Sequence, residues 1–77
     1  MEIRQVQSFV HVARLGSFSR AAETMGYSQS AITVQIRLRE EELGTKLFDR
    51  MGKKVSLTPQ GKRFLEHASR ILYEMNR

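Results

Sequence analysis

The sequence predicts a mainly α-helical fold carrying one small β-hairpin. Three observations lead there. Apolar residues recur at the helical period of about 3.6 over most of the 77 residues. Glycines, and one Thr-Pro pair, punctuate that period where helices must stop or start. Only between Lys46 and Thr58 does the pattern shorten into strand-like segments.

The first helix is expected from about Glu2 to Leu15. Ile3, Val6, Phe9, Val10 and Ala13 share one face and form a core stripe. Arg4, Gln7, His11 and Arg14 face outward, and Gly16 stops the helix. Ser19 is the expected N-cap of the second helix, with Phe18 packing as the apolar residue before it. Ala21, Ala22 and Met25 form its inner face, and their small size admits a neighbouring helix closely. Gly26 ends it and Tyr27 lies in the turn. Ser28 caps the third helix, Gln29 to Leu43, which Gly44 closes. Lys46–Arg50 and Lys54–Thr58 are the expected strands, joined by a turn at Met51-Gly52-Lys53. Thr58 as N-cap and Pro59 at the first helical position start a fourth helix reaching about Met75. The chain ends while still in a helical pattern, as the front piece of a longer protein would.

Composition narrows the function. The chain has 13 Lys and Arg against 8 Asp and Glu, a net charge of +5. That balance favours a polyanionic partner, nucleic acid before an acidic membrane surface, although ordinary solubilising charge has the same sign. There is no cysteine to form a disulfide or a thiolate metal site. Its absence fits a reducing compartment. No apolar run approaches the ~20 residues needed to span a bilayer, and no signal peptide precedes the fold. The expectation is a soluble, cytoplasmic protein.

The third helix carries the chemistry. With Ile32 at 0° and steps of about 100°, Ile36 and Leu43 fall within about 40° of it and form a core stripe. Ser30, Thr33, Val34 and Arg37 fall at roughly 100–200°, on the outer face. Arg can bridge guanine O6 and N7, hydroxyls bond either way, and an aliphatic can touch a thymine methyl. Gln29 can make a bidentate contact to adenine. No acid occurs from Ser28 to Arg39, and then Glu40-Glu41-Glu42 follow. The acids would be repelled by phosphate, so the N-terminal end is the one that approaches DNA, where free N–H groups also favour anions. A solvated amphipathic helix with a polar outside fits the same pattern. Arg39 departs from it: near −20° it lies within the core stripe, where charge is costly unless paired. Its stem can pack while its head reaches water or a glutamate. Alternatively the position is destabilising.

These residues resemble the DNA-binding domain of LysR-type transcriptional regulators, over essentially the whole chain. Ala21-Ala22, Ser28-Gln29-Ser30-Ala31-Ile32-Thr33, Gln35-Ile36-Arg37, Glu40 and Glu42-Leu43-Gly44 match that family's helix-turn-helix pattern. Leu47-Phe48-Asp49-Arg50 matches the start of its wing, and Leu57-Thr58-Pro59-Gln60-Gly61 the start of its linker helix. The resemblance implies a winged helix-turn-helix over residues 1–58, with the helix-turn-helix at about 18–37 and the wing at about 46–58. Residues 59–77 would form a linker helix that dimerises. It implies a cytoplasmic, bacterial, nucleoid-associated protein whose full-length form carries an effector-binding domain and can reach a tetramer. A small-molecule inducer would bind that further domain, and this one needs no cofactor. The chain departs from the family at Val34, often Arg or Lys, and at Arg39, usually Leu.

The expected DNA contacts are therefore Ser19, Arg20, Ser28, Gln29, Ser30, Thr33, Val34 and Arg37, with Arg50, Lys53 and Lys54 on the wing. Ser17 can also bond phosphate. For Ser19 the helix cap alone is a sufficient role, and the wing lysines also fit a solvated turn. On helix 4, Phe64, Ala68, Ile71 and Met75 form a line with Leu65 and Leu72 alongside. Seventeen residues span roughly 26 Å, so Ile71, Leu72 and Met75 are expected to overhang and meet a second copy. Gly61 inside this helix suggests close packing. His11 and His67 lack ligand-like spacing, and no nucleophile or phosphate-loop motif occurs, so neither a metal site nor an enzyme is expected. A protein-docking module would need apolar residues in place of Ser30, Thr33 and Arg37. RNA binding would need stacking aromatics outside the core. Membrane attachment would need one helix with both basic and bulky apolar faces.

Overall fold

The fold is built around the first helix, because its residues face three other helices at once. The computed structural model describes residues 3–51 and 54–75. They form α1 (Ile3–Leu15), α2 (Phe18–Met25), α3 (Gln29–Leu43), β1 (Phe48–Met51), β2 (Lys54–Leu57) and α4 (Pro59–Met75). The mainly helical architecture with one hairpin is as expected. α1 packs against α2, α3, α4 and β2, and α4 also rests on β2. Val6, Phe9, Val10 and Val12 of α1 are buried among Ala21, Ala22, Ile32, Ile36, Leu47, Phe48 and Ala68.

The helix-turn-helix is fixed by its caps. Gly26 and Gly44 close α2 and α3 at φ of 73° and 68°, a left-handed conformation that side chains disfavour. Their own N–H groups bond back into the last helical turn. Ser28 Oγ accepts from the Ala31 N–H at 3.2 Å and so starts α3 as expected. At α2 the cap is Ser17, not Ser19: Ser17 Oγ accepts from the Arg20 N–H at 3.1 Å. Phe18 is accordingly the first helical residue and is itself buried. Ser19 lies within the first turn, its hydroxyl 3.1 Å from that of Ser17.

Other expectations are displaced in detail. The strands pair antiparallel from Phe48↔Leu57 to Met51↔Lys54, so Lys46, Leu47 and Thr58 lie outside them. Leu47 is instead a buried plug, and the Gly52-Lys53 turn lies outside the described residues. Leu43, expected in the core stripe, is 44% exposed, and it lines a surface groove with Leu47 and Phe64. Ser8 and Val12 are fully buried and His11 half-buried, so α1 is covered on more than one face. The Ser8 hydroxyl is satisfied by donating to Gln35 Oε1 of α3 at 2.5 Å.

Thr58 caps α4 twice over: its Oγ1 accepts from the Gly61 N–H at 2.9 Å and donates to the Lys46 carbonyl at 2.7 Å. The Thr58 N–H donates to the Leu47 carbonyl at 3.0 Å. A Cβ on Gly61 would stand 2.1 Å from that same carbonyl oxygen. The close packing expected at Gly61 is therefore backbone against backbone.

Candidate nucleic-acid interface

The core stripe of α3 decides which side chains it presents outward. Ile32, Ile36 and Arg39 are buried at 0, 3 and 7% exposure. The opposite face carries Ser30, Val34, Arg37 and Leu38, all exposed, with Thr33 half-buried at its edge. Gln29, Ser30, Thr33, Val34 and Arg37 together line one shallow depression on the surface. Thr33 Oγ1 donates back to the Gln29 carbonyl at 3.0 Å, and the Ser28 and Ser30 hydroxyls lie 3.3 Å apart. Among the described residues, the Gln29 and Arg37 side chains have no partner within the chain. They are the uncommitted hydrogen-bonding groups of this face, and both suit base edges.

The hairpin stands beside this face. Phe18, Thr33, Ile36, Arg37, Glu40, Lys46, Phe48, Asp49 and Arg50 line a cleft between α3 and β1. Arg50 is not a free wing residue: its guanidinium carbon sits 4.1 Å from the centre of the Phe18 ring. Phe18 meets Phe48 edge-on at 5.7 Å, Phe48 meets Phe9 at 5.2 Å, and Phe9 meets Phe64 at 4.9 Å. All four phenylalanines of the chain thus form one connected series from α4 to the wing arginine. Lys54 is exposed at the start of β2, and Lys53 lies outside the described residues. Arg20 and Ser19 are exposed at the start of α2. The structure thus brings Gln29, Ser30, Thr33, Val34 and Arg37 together on α3, with Ser28 as its cap and Arg50 across the cleft, whereas Ser19 and Arg20 line neither the depression nor the cleft.

Two residues were missed from the sequence. From the sequence, Glu40 belongs to an acidic run that phosphate repels, with no contact of its own assigned. Its Oε2 instead accepts from the Leu47 and Phe48 N–H groups at 2.8 and 3.3 Å, which ties the wing to α3. The signal was available: near 80° on the helical wheel, Glu40 flanks the core stripe. Lys46 was left unassigned, yet it lies in the cleft, largely exposed, 4.0 Å from Glu40 Oε1. It adds a cation where the chain passes from α3 to the wing.

Arg39 is buried and does pair with a glutamate, its Nη1 lying 3.1 Å from Glu42 Oε2. Nη2 donates to Gln5 Oε1 of α1, while Nε is buried with no partner among the described residues. On α4, Ala68 is fully buried against the chain's own core and has no surface left for a second copy. Phe64, Leu65 and Leu72 are partly covered by the same core, so Leu72 does not overhang as expected. Ile71 is 42% exposed, and the Met75 side chain lies outside the described residues.

Comparison with known proteins bears on this geometry. Residues 3–62 match the model of the bacterial regulatory helix-turn-helix protein, lysR family. The HTH-type transcriptional regulator CfxR of Cupriavidus necator is 45% identical over 75 residues, covering 97% of this chain and 24% of that protein. The HTH-type transcriptional regulator TfdT of Cupriavidus pinatubonensis is 47% identical over 72 residues, covering 94% and 32%. This chain therefore spans about a quarter to a third of these relatives. Among solved structures, the CbnR DBD–DNA complex superposes with a TM-score of 0.93 at 40% identity, covering 100% of this chain and 88% of that one. The BenM DBD bound to catB site 1 DNA gives 0.95 at 36% identity, covering 99% and 84%.

Proposed function

The chain belongs to the lysR family of bacterial regulatory helix-turn-helix proteins, and we propose that it binds duplex DNA sequence-specifically as the DNA-binding domain of a transcriptional regulator. α3 enters the major groove by its N-terminal half, and the wing lies on the flanking backbone or minor groove. The observation that carries this reading is the outer face of α3. It pairs two uncommitted base-reading groups, Gln29 and Arg37, with an acid-free surface over its first turns. Arg20, Arg50 and Lys54 are exposed and available to phosphate, and Arg50 shares a cleft with Thr33 and Arg37. The DNA-bound CbnR and BenM domains support the same use of the fold.

The protein works by binding and not by catalysis, as a homodimer through α4 on an inverted repeat, in the bacterial cytoplasm. No helix among the described residues is long and apolar enough to cross a membrane. Ile71, exposed on the distal half of α4, supports the choice of dimer surface. The domain needs no cofactor, and the inducer binds a part of the full-length regulator outside this chain. In the full-length protein, tetramers of such dimers are compatible with this arrangement.

Selection of bound sites from random duplex DNA, followed by a salt titration on the selected site, tests the reading. A palindromic motif is expected. Two protomers with about four basic contacts each give a slope of log K against log salt of about −7. Absence of any selected motif, or a slope near zero, overturns it.

A further inference from the structure

Val34 stands close to the pole of the α3 face that is presented outward. At about 100° per residue it lies roughly 200° from Ile32, opposite the buried stripe of Ile32, Ile36 and Arg39. The structure agrees: Val34 is 41% exposed where those three are 0, 3 and 7%. A helix laid into the major groove points this pole at the base-pair edges. The hydroxyls around it are turned inward or toward each other, Thr33 to the Gln29 carbonyl and Ser30 to Ser28. Among the residues lining the depression Val34 contributes an isopropyl group, with Arg37 one turn away. On the opposite side Leu38, 44% exposed, extends the apolar strip by one turn. The chain itself packs little against these two aliphatic groups.

The major-groove edges of the four base pairs offer one apolar group, the C5-methyl of thymine. We propose that Val34 is a specificity-determining residue that reads a thymine C5-methyl group in each half-site, next to the base contacted by Arg37. The assignment rests on the DNA-reading function above and gives its chemistry at one position. A β-branched side chain suits the task. Within a helix Val keeps essentially one χ1 rotamer, so its methyls are already placed and little entropy is lost on contact.

The test replaces each thymine of the selected half-site with deoxyuridine, one position at a time. Deoxyuridine removes the methyl and leaves every hydrogen-bonding group of the base in place. Affinity is measured for this chain and for Val34→Ala, an exposed position whose truncation leaves the core untouched. At one thymine per half-site, deoxyuridine is expected to weaken binding about fourfold, and about sixteenfold when both half-sites carry it. Val34→Ala, which loses both γ-methyls, is expected to cut the thymine preference at that position to less than about twofold. Indifference of the unmodified protein to deoxyuridine at every position overturns the proposal, as does a loss that persists unchanged in Val34→Ala. Failure to select any motif overturns the DNA-reading function itself, and so is distinguishable from failure of the methyl contact alone.

Discussion

Arg39 occupies a position that the helical period of α3 reserves for an aliphatic side chain. Its guanidinium is buried at the α1–α3 contact, bonded to Gln5 and to Glu42, with Nε unsatisfied. The Glu42 carboxylate is 61% exposed, so solvent screens the ion pair and it returns little. An orphaned buried N–H costs about 1–3 kcal/mol. The cost therefore outweighs the gain. Arg39→Leu is expected to stabilise the fold by about 1 kcal/mol and to raise Tm by about 4–8 °C, leaving DNA affinity unchanged because the residue faces the core. Thermal unfolding followed by circular dichroism checks it. A lowered Tm would show that the Gln5–Arg39–Glu42 chain is worth more than its desolvation. The burial of Arg39 was legible from the wheel. Its bond to Gln5 was not, since 34 residues separate the two and only tertiary packing joins them. The same holds for Arg50. Sequence alone marks it as a wing cation, whereas its seat on the Phe18 ring requires α2 and β1 to be side by side.

Among the elements, the joint between the hairpin and α4 leaves least room. Gly61 lies in the first turn of α4 against the carbonyl of Leu47, the acceptor for the Thr58 N–H. A Cβ there would also come within 3.0 Å of Leu57 Cδ2. Alanine is the better helix former by about 1 kcal/mol, so propensity alone favours Gly61→Ala. The steric term is larger, because the obstructing atom is backbone and cannot rotate away. Gly61→Ala is expected to destabilise by about 1–2 kcal/mol net in urea unfolding; a stabilised variant would show that α4 can slide away from the hairpin. Element boundaries were legible where a chemical signal was unique: Ser28 and Gly44 around α3, and Thr58-Pro59 before α4. They failed where signals were doubled or depended on neighbours. Ser17 and Ser19 flank Phe18 symmetrically in sequence, and burial of the ring selects Ser17 as the cap. Leu43 keeps the helical phase of the core stripe but is 44% exposed, so periodicity overstated the core.

At the scale of the whole molecule, the site is a matter of how many such domains act together. The described residues measure 37 × 27 × 19 Å, and one α3 can cover one half-site. A second half-site one helical turn of DNA away, about 34–36 Å, requires a second copy held at fixed spacing. α4 is suited to hold it. Its inner side, through Phe64, Leu65, Ala68 and Leu72, is already engaged with the core, which leaves Ile71, among the described residues, as the exposed aliphatic on its distal half. A charge introduced at that position would have to be buried in any contact between two α4 helices, at a cost that pairing cannot recover. Ile71→Glu should therefore leave the fold intact and convert the proposed dimer to a monomer, read by sedimentation. The same variant should lose the cooperative gain from a second half-site while still binding a single one. Its salt slope on the full site should fall from about −7 to about −3.5, because each binding event then releases the counterions of one protomer only. An unchanged slope with unchanged sedimentation would move the dimer surface away from Ile71. A monomer that kept the full slope would show that DNA alone aligns the two domains.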